Sequence, residues 1–181
     1  MTKVSAEKIS LHRVAPRPPH YPEKPKVEVC VVMPAYNEGL KALRTLASVA
    51  KQVTNRDRAA IIVINNRPDA PEEAKARNAL LYSVLQMVRH GYRVDTQNSI
   101  MNSYIDDIIN FKLRIEIIDA FSPGHAHPDN NVGLARGIGF EYMKEFAESI
   151  PHYVGTDAGD SYLTRPVLEA VCQTYERGHA D

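Results

Sequence analysis

Two short runs of almost unbroken β-branched and aliphatic residues constrain this chain more than anything else in it. Val27–Met33 reads VEVCVVM and Ala59–Ile64 reads AAIIVI. Neither alternates polar with apolar, so neither suits a sheet with one wet face; both suit strands covered on two sides, as in a parallel sheet. Parallel neighbours need a crossover between them, and the intervening segment supplies one. Leu43, Leu46, Ala47, Ala50 and Val53 recur at helical spacing and make one apolar face.

The same alternation continues downstream. Pro34 ends the first strand, and Ala35-Tyr36-Asn37-Glu38-Gly39 is a loop. After Ile64, Asn65-Asn66-Arg67-Pro68-Asp69 is another loop, and Pro71 opens a helix with Glu72 and Glu73 in its first turn. Leu80, Leu81, Val84, Leu85 and Val88 face its core, and Gly91 stops it. A further helix is expected from Asn98 to Phe111, its stripe formed by Ile100, Met101, Tyr104, Ile105, Ile108 and Ile109, with Asp106-Asp107 on the wet side. Leu113–Ile118 is a third strand, Ala120–Asn131 a loop, Val132–Glu148 a helix and 152–156 a fourth strand. Pro166 begins a last helix with Val167, Leu168, Val171, Cys172 and Tyr175 inward. The order βαβααβαβα predicts an α/β fold: a mostly parallel sheet with right-handed crossovers.

Five prolines within residues 1–26 (Pro16, Pro18, Pro19, Pro22 and Pro25) make that segment an extended arm rather than a central element. Residues 27–181 are then expected to be the single folded domain. With 22 basic and 22 acidic side chains, zero net charge gives no reason to expect nucleic acid or an anionic membrane as partner. No apolar run approaches the roughly 20 residues needed to span a bilayer. Cys30 and Cys172 are far apart and have no metal-site spacing, so buried reduced thiols and a cytoplasmic location are the expectation.

In a parallel sheet, ligands sit beyond the carboxyl ends of the strands. That directs attention to loops 34–39, 65–70, 119–131 and 157–161. The last reads HYVGTDAGDSY from His152 to Tyr162, an apolar strand breaking into Asp157 and Asp160. Carboxylates there can hold Mg²⁺ or Mn²⁺ against a diphosphate; equally, Asp160 can cap the segment that follows it. Gly133, Gly137 and Gly139 within one helix cost roughly 1 kcal/mol each against alanine, which implies close approach of a ligand or of the sheet. His125 and His127 can face an acceptor, reach a metal or simply meet solvent.

Taken in order, VVMPAYNEG, the second apolar strand, NVGLARGIGFEYM and YVGTDAGDSYLTRP resemble family 2 glycosyltransferases of the GT-A fold, over roughly residues 27–175. The resemblance implies transfer of a sugar from a UDP- or GDP-sugar to an acceptor, with Mn²⁺ or Mg²⁺. It places Pro34, Ala35, Tyr36 and Glu38 beside the nucleotide, although Glu38 also suits a helix-start charge. Asn65 and Asn66 fall where the family meets the base, though NNRPDAP is also a good turn. Arg136 falls where a guanidinium meets the diphosphate, or makes a surface ion pair. Asp157 matches the first position of the family's Asp-x-Asp metal motif; the second falls on Gly159, with Asp160 one residue on. Family members continue well past this turn, into the half that binds acceptor and supplies the base. The expectation is therefore a short or truncated relative, with a second copy or a partner chain completing the site, and no general base assignable. A nucleotidylyltransferase would need a glycine-rich basic loop after the first strand, which PAYNEG is not.

Overall fold

A computed structural model of the chain describes residues 10–13, 26–129, 131–149 and 152–178. Its elements are β1 (Ser10–Arg13), β2 (Val29–Ala35), α1 (Ala42–Ala50), β3 (Arg58–Asn65), α2 (Glu72–Arg89), β4 (Tyr92–Asp95), α3 (Ser99–Asn110), β5 (Arg114–Ala120), α4 (Val132–Phe146), β6 (His152–Gly155) and α5 (Val167–Gly178). Four strands form one parallel sheet in the order β5-β3-β2-β6. The fold class is thus α/β with a parallel sheet and helices on both faces.

The two apolar runs occupy the centre of that sheet, which is why they carry no alternation. Every residue of β2 is buried, as is every residue of β3 after Arg58. Period-two geometry still sorts their side chains between two cores. Val29, Val31, Met33, Ala60, Ile62 and Ile64 meet α1, α2, α3 and α5 on one face. Cys30, Val32, Ala59, Ile61 and Val63 meet α4 on the other.

Pro34 lies inside β2, opposite Val63, and does not end it. Carbonyls of even-numbered residues on β2 face β6: Glu28, Val32 and Pro34 accept from His152, Thr156 and Ala158. A residue's N–H and C=O point to the same edge of a strand, so the donor missing at Pro34 faces the stretch just past the end of β6, and the pairing with β3 on the other edge is untouched.

Two short strands were not foreseen. β1 pairs antiparallel with β4, from Ser10 opposite Asp95 to Arg13 opposite Tyr92, in a separate two-stranded sheet. Tyr-Arg-Val-Asp is too short and too polar to read as a strand, and its only buried residue is Val94. The five prolines of the N-terminal segment lie outside the described residues. Three expected core positions are exposed: Val53 lies beyond the end of α1, Ile100 sits in the first turn of α3, and Tyr175 stacks on His152 at 5.8 Å.

Gly139 explains itself on this frame. A Cβ there would lie 2.3 Å from Val32 Cγ1 and 3.2 Å from Val63 Cγ2, so glycine lets α4 lie directly on the sheet. A Cβ at Gly133 would lie 3.2 Å from the side-chain oxygen of Asn131, which caps α4 by accepting from Leu134 N. Gly137 has open space around it, and nothing in the structure explains its being glycine.

Candidate active site

The parallel sheet brings the carboxyl ends of β2 and β6 side by side, and with them the turns 36–41 and 156–161. Backbone bonds from Thr156 to Val32 and from Ala158 to Pro34 continue the pairing into the carboxylate turn. Alternation along this extension sends Ala158 into the α1 face, where it is buried, and Asp157 toward the α4 face. Arg136, one turn into α4, meets it there: Arg136 Nη2 donates to Asp157 Oδ1 at 2.7 Å. Both side chains remain substantially exposed, at 41% and 57%. Two residues 21 positions apart in sequence are thus joined at the rim of the sheet.

Gly159 then turns the chain. Its φ is +82°, a conformation that penalises any side chain, and a Cβ there would lie 2.6 Å from Glu38 Oε2. The carboxylate of Glu38 therefore fills the space that a side chain at position 159 would need. Burial first, then the neighbouring Asp160 and Asp157, push the Glu38 carboxyl above its ordinary range, while Lys41 pulls it the other way. Lys41 also borders Gly159, so one cation from the first turn stands beside this acidic group. Sequence reasoning passed over Lys41 because it follows the recognisable PAYNEG stretch and looks like a surface lysine.

The other expected contacts divide by exposure. Tyr36 is exposed, Glu38 half-buried, and Pro34 and Ala35 are buried in the strand, leaving only their backbone to line the turn. Asn65 and Asn66 are buried as well. Asn78 Nδ2 donates to the Asn65 carbonyl at 3.1 Å and to Asn66 Oδ1 at 3.0 Å. With its amide oriented to satisfy its surroundings, Asn65 donates to the carbonyls of Ala35 and Val63. The Asn65 side chain ties the ends of β2 and β3 together, the Asn66 side chain is tied to α2, and both are turned inward.

The histidines of the loop after β5 serve that loop. Asp119 accepts from the backbone N–H of Phe121 and Ser122, from Ser122 Oγ at 2.5 Å, and lies 3.2 Å from His125 Nδ1. Burial alone would raise the Asp119 carboxyl, but these donors outweigh it and hold it below its ordinary range. His127 Nδ1 accepts from Asp129 N at 3.1 Å.

A buried polar column on α1 was also missed. Thr45 and Ser48 lie on one stripe of α1, and Gln52, two residues past its end, continues it at i+7; all three are buried. Thr45 Oγ1 accepts from Gly159 N at 3.1 Å and donates to the Ser161 carbonyl at 2.7 Å. Ser48 Oγ accepts from Leu163 N, and the Gln52 amide bonds the carbonyls of Leu163 and Thr164 and the N–H of Leu168. The stripe is visible in the sequence, but its partners lie more than 100 residues away, so its purpose is not.

Among the described residues, no group of three or more His, Cys, Asp and Glu is arranged to hold a metal ion. What the rim offers is hard oxygen: an exposed Asp157 carboxylate, with Glu38 and Asp160 crowding one another nearby. That donor set suits Mg²⁺ or Mn²⁺ only where a ligand's own phosphate oxygens complete the shell.

Residues 30–102, from β2 into α3, match the family model for glycosyl transferase family 2. The resemblance read from the sequence is therefore confirmed over that span. The match ends before α4 and the carboxylate turn. Among solved structures, the chain is similar to a crystal structure of S. aureus TarS at 17% identity and a TM-score of 0.49, over 85% of this chain and 20% of that one. No curated protein matches the sequence.

Proposed function

We propose that this chain is the donor-binding module of a family 2 glycosyltransferase, which takes a sugar from a UDP- or GDP-sugar and delivers it to an acceptor hydroxyl with the help of Mn²⁺ or Mg²⁺. The observation that carries this reading is the convergence of Glu38, Arg136 and Asp157 on the carboxyl ends of two adjacent parallel strands. Arg136 and Asp157 are already 2.7 Å apart there. The matched family residues supply the first of these turns.

In this reading Tyr36 lies against the base or ribose, and Glu38 accepts from a sugar hydroxyl. Pro34 and Ala35 offer backbone, while Asn65 and Asn66 fix the floor beneath the base. Arg136 and Lys41 face the diphosphate. An exposed ion pair such as Arg136–Asp157 contributes at most about 1 kcal/mol, so a dianionic diphosphate can draw the guanidinium away and free Asp157. Asp157, with Asp160 or Glu38, would then hold the divalent cation. When bound, that cation supplies Lewis-acid neutralisation of the departing nucleoside diphosphate. This reading concerns the donor side; acceptor contacts and a general base fall outside it. A cytoplasmic location is part of the same proposal, alongside the observation that no described helix is long and apolar enough to cross a membrane.

A second reading is favoured by one specific feature: the family's second metal-binding aspartate is Gly159 here, and its space is taken by Glu38. The chain would then be a partial or catalytically incompetent nucleotide-sugar-binding domain. Calorimetric titration with UDP- and GDP-sugars, with and without Mn²⁺, tests both. The first reading expects metal-enhanced binding that Asp157→Ala abolishes, together with slow hydrolysis or transfer of the sugar. Binding without turnover selects the second reading. An Asp157→Ala variant that binds with undiminished metal dependence sinks the assignment of this turn.

A further inference from the structure

The buried polar column on α1 is more than a helix-to-loop contact, because of which backbone groups Thr45 selects. Its hydroxyl accepts from the N–H of Gly159 and donates to the carbonyl of Ser161, the two residues flanking Asp160. Threonine inside a helix ordinarily turns its hydroxyl back to the carbonyl one turn earlier. Here Thr45 uses both hydrogen-bonding functions on a segment 114 and 116 residues away, with no exposure to solvent. Lys41 stands one turn toward the N-terminus, and Glu38 lies just before the short 3-10 helix Gly39–Lys41; both border Gly159. The carboxylate turn is thus tied to α1 at both neighbours of Asp160 by the Thr45 hydroxyl, and the short helical turn carrying Lys41 runs directly into the same helix.

We infer that Thr45 is a positioning residue that holds the Asp160 backbone in register with Glu38 and Asp157, and so determines whether the rim can accept a divalent cation together with a diphosphate. This inference rests on the donor-binding reading above. Ser48 and Gln52 continue the hold on residues 163–168, farther from the carboxylates. They therefore anchor the loop without setting the acidic turn. Thr45→Val keeps the shape of the side chain and removes only the hydroxyl, leaving the Gly159 N–H without that acceptor.

The test measures UDP and GDP affinity with and without Mn²⁺ for the wild type, Thr45→Val, Thr45→Ser and Ser48→Ala, with amide exchange over 158–164 followed in parallel. Loss of one charge-positioning hydrogen bond is expected to lower the Mn²⁺-dependent gain in affinity by about tenfold. Metal-free nucleotide affinity should be retained, and exchange at Gly159 should accelerate. Thr45→Ser is expected to restore both, and Ser48→Ala to retain most of the gain. Thr45→Val with the full wild-type metal gain overturns the inference, even if exchange rises, since the contact is then merely structural. Equal loss of metal-free and metal-dependent binding overturns it as well. A wild type without any metal gain refutes the donor-binding reading itself, which is a separate outcome.

Discussion

Gly137 and Gly139 lie two positions apart on α4, yet alanine at each should have opposite effects. At Gly137 the new methyl meets nothing within 4 Å, so only the backbone term remains. Alanine in an exposed helix interior is favoured over glycine by roughly 0.5–1 kcal/mol. At Gly139 the same gain is available, but the methyl arrives 2.3 Å from Val32 Cγ1. Carbon atoms pack at about 3.5–4.0 Å, so α4 or β2 must yield by more than about 1 Å. Val32 is fully buried in a central strand. Overpacking of this kind costs about 1–3 kcal/mol, leaving Gly139→Ala destabilised by up to about 2.5 kcal/mol after the helix gain. For a chain of this size each kcal/mol moves Tm by about 2–4 °C. Thermal unfolding should therefore place Gly137→Ala about 1–4 °C above the wild type and Gly139→Ala below it by up to about 10 °C. A displaced α4 also carries Arg136 away from Asp157, so Gly139→Ala should weaken nucleoside diphosphate binding while Gly137→Ala leaves the fold of the site intact. If the two substitutions shift Tm by the same amount in the same direction, α4 does not lie on Val32 as described.

Three other outcomes follow from the same geometry. Glu38 has its carboxyl raised above the ordinary value of 4.5, so the folded chain binds more protons than the unfolded one just above that value, and this group's contribution to stability falls as pH rises through that window. Glu38→Gln should therefore unfold at a higher temperature than the wild type at pH 7 and at nearly the same temperature at pH 4; a pH-independent difference would rule out the crowding of Glu38 by Asp160 and Asp157. Burial pushes the Cys30 thiol up to about 12, so native protein treated with a thiol reagent at pH 8 should leave Cys30 unmodified until it is unfolded; rapid native labelling at Cys30 contradicts its place in the central strand. Asp157→Ala, which removes an exposed partner of Arg136, should change Tm by less than about 1 kcal/mol equivalent while abolishing metal-enhanced nucleotide binding; a large loss of stability would make Asp157 a structural residue.

Much of the layer architecture was legible because it depends on local composition. VEVCVVM and AAIIVI can be soluble only when covered on both faces, and the helical stripes between strands say what covers them. Proline was misread where a local rule met a particular edge: Pro34 stays in β2 because its missing N–H faces the edge just past the end of β6, leaving its pairing with β3 intact, and strand order elsewhere in the chain decides that. The Tyr-Arg-Val-Asp strand escaped notice because pairing with Ser10–Arg13, rather than apolar content, makes it a strand. In the family resemblance, Asn65 and Asn66 fall beside the base by their position after the second apolar strand. The fold turns the Asn65 side chain toward the carbonyls of Ala35 and Val63 and the Asn66 side chain toward Asn78 on α2, which neither residue's own neighbours reveal.

For the carboxylate turn, the sequence alone establishes that Asp157 and Asp160 end a strand, and that a glycine between them allows a sharp reversal. Which face each acid meets is decided by the sheet. Pairing of β6 with β2 aims Asp157 at α4 and Arg136, and the positive φ of Gly159 returns the chain toward Glu38. Thr45, 114 residues earlier, then secures both neighbours of Asp160. Side-chain type and local turn propensity act over a few residues and can be read from sequence. Charge pairs and buried hydrogen bonds act over a few ångströms, and only the folded chain determines which distant residues those are.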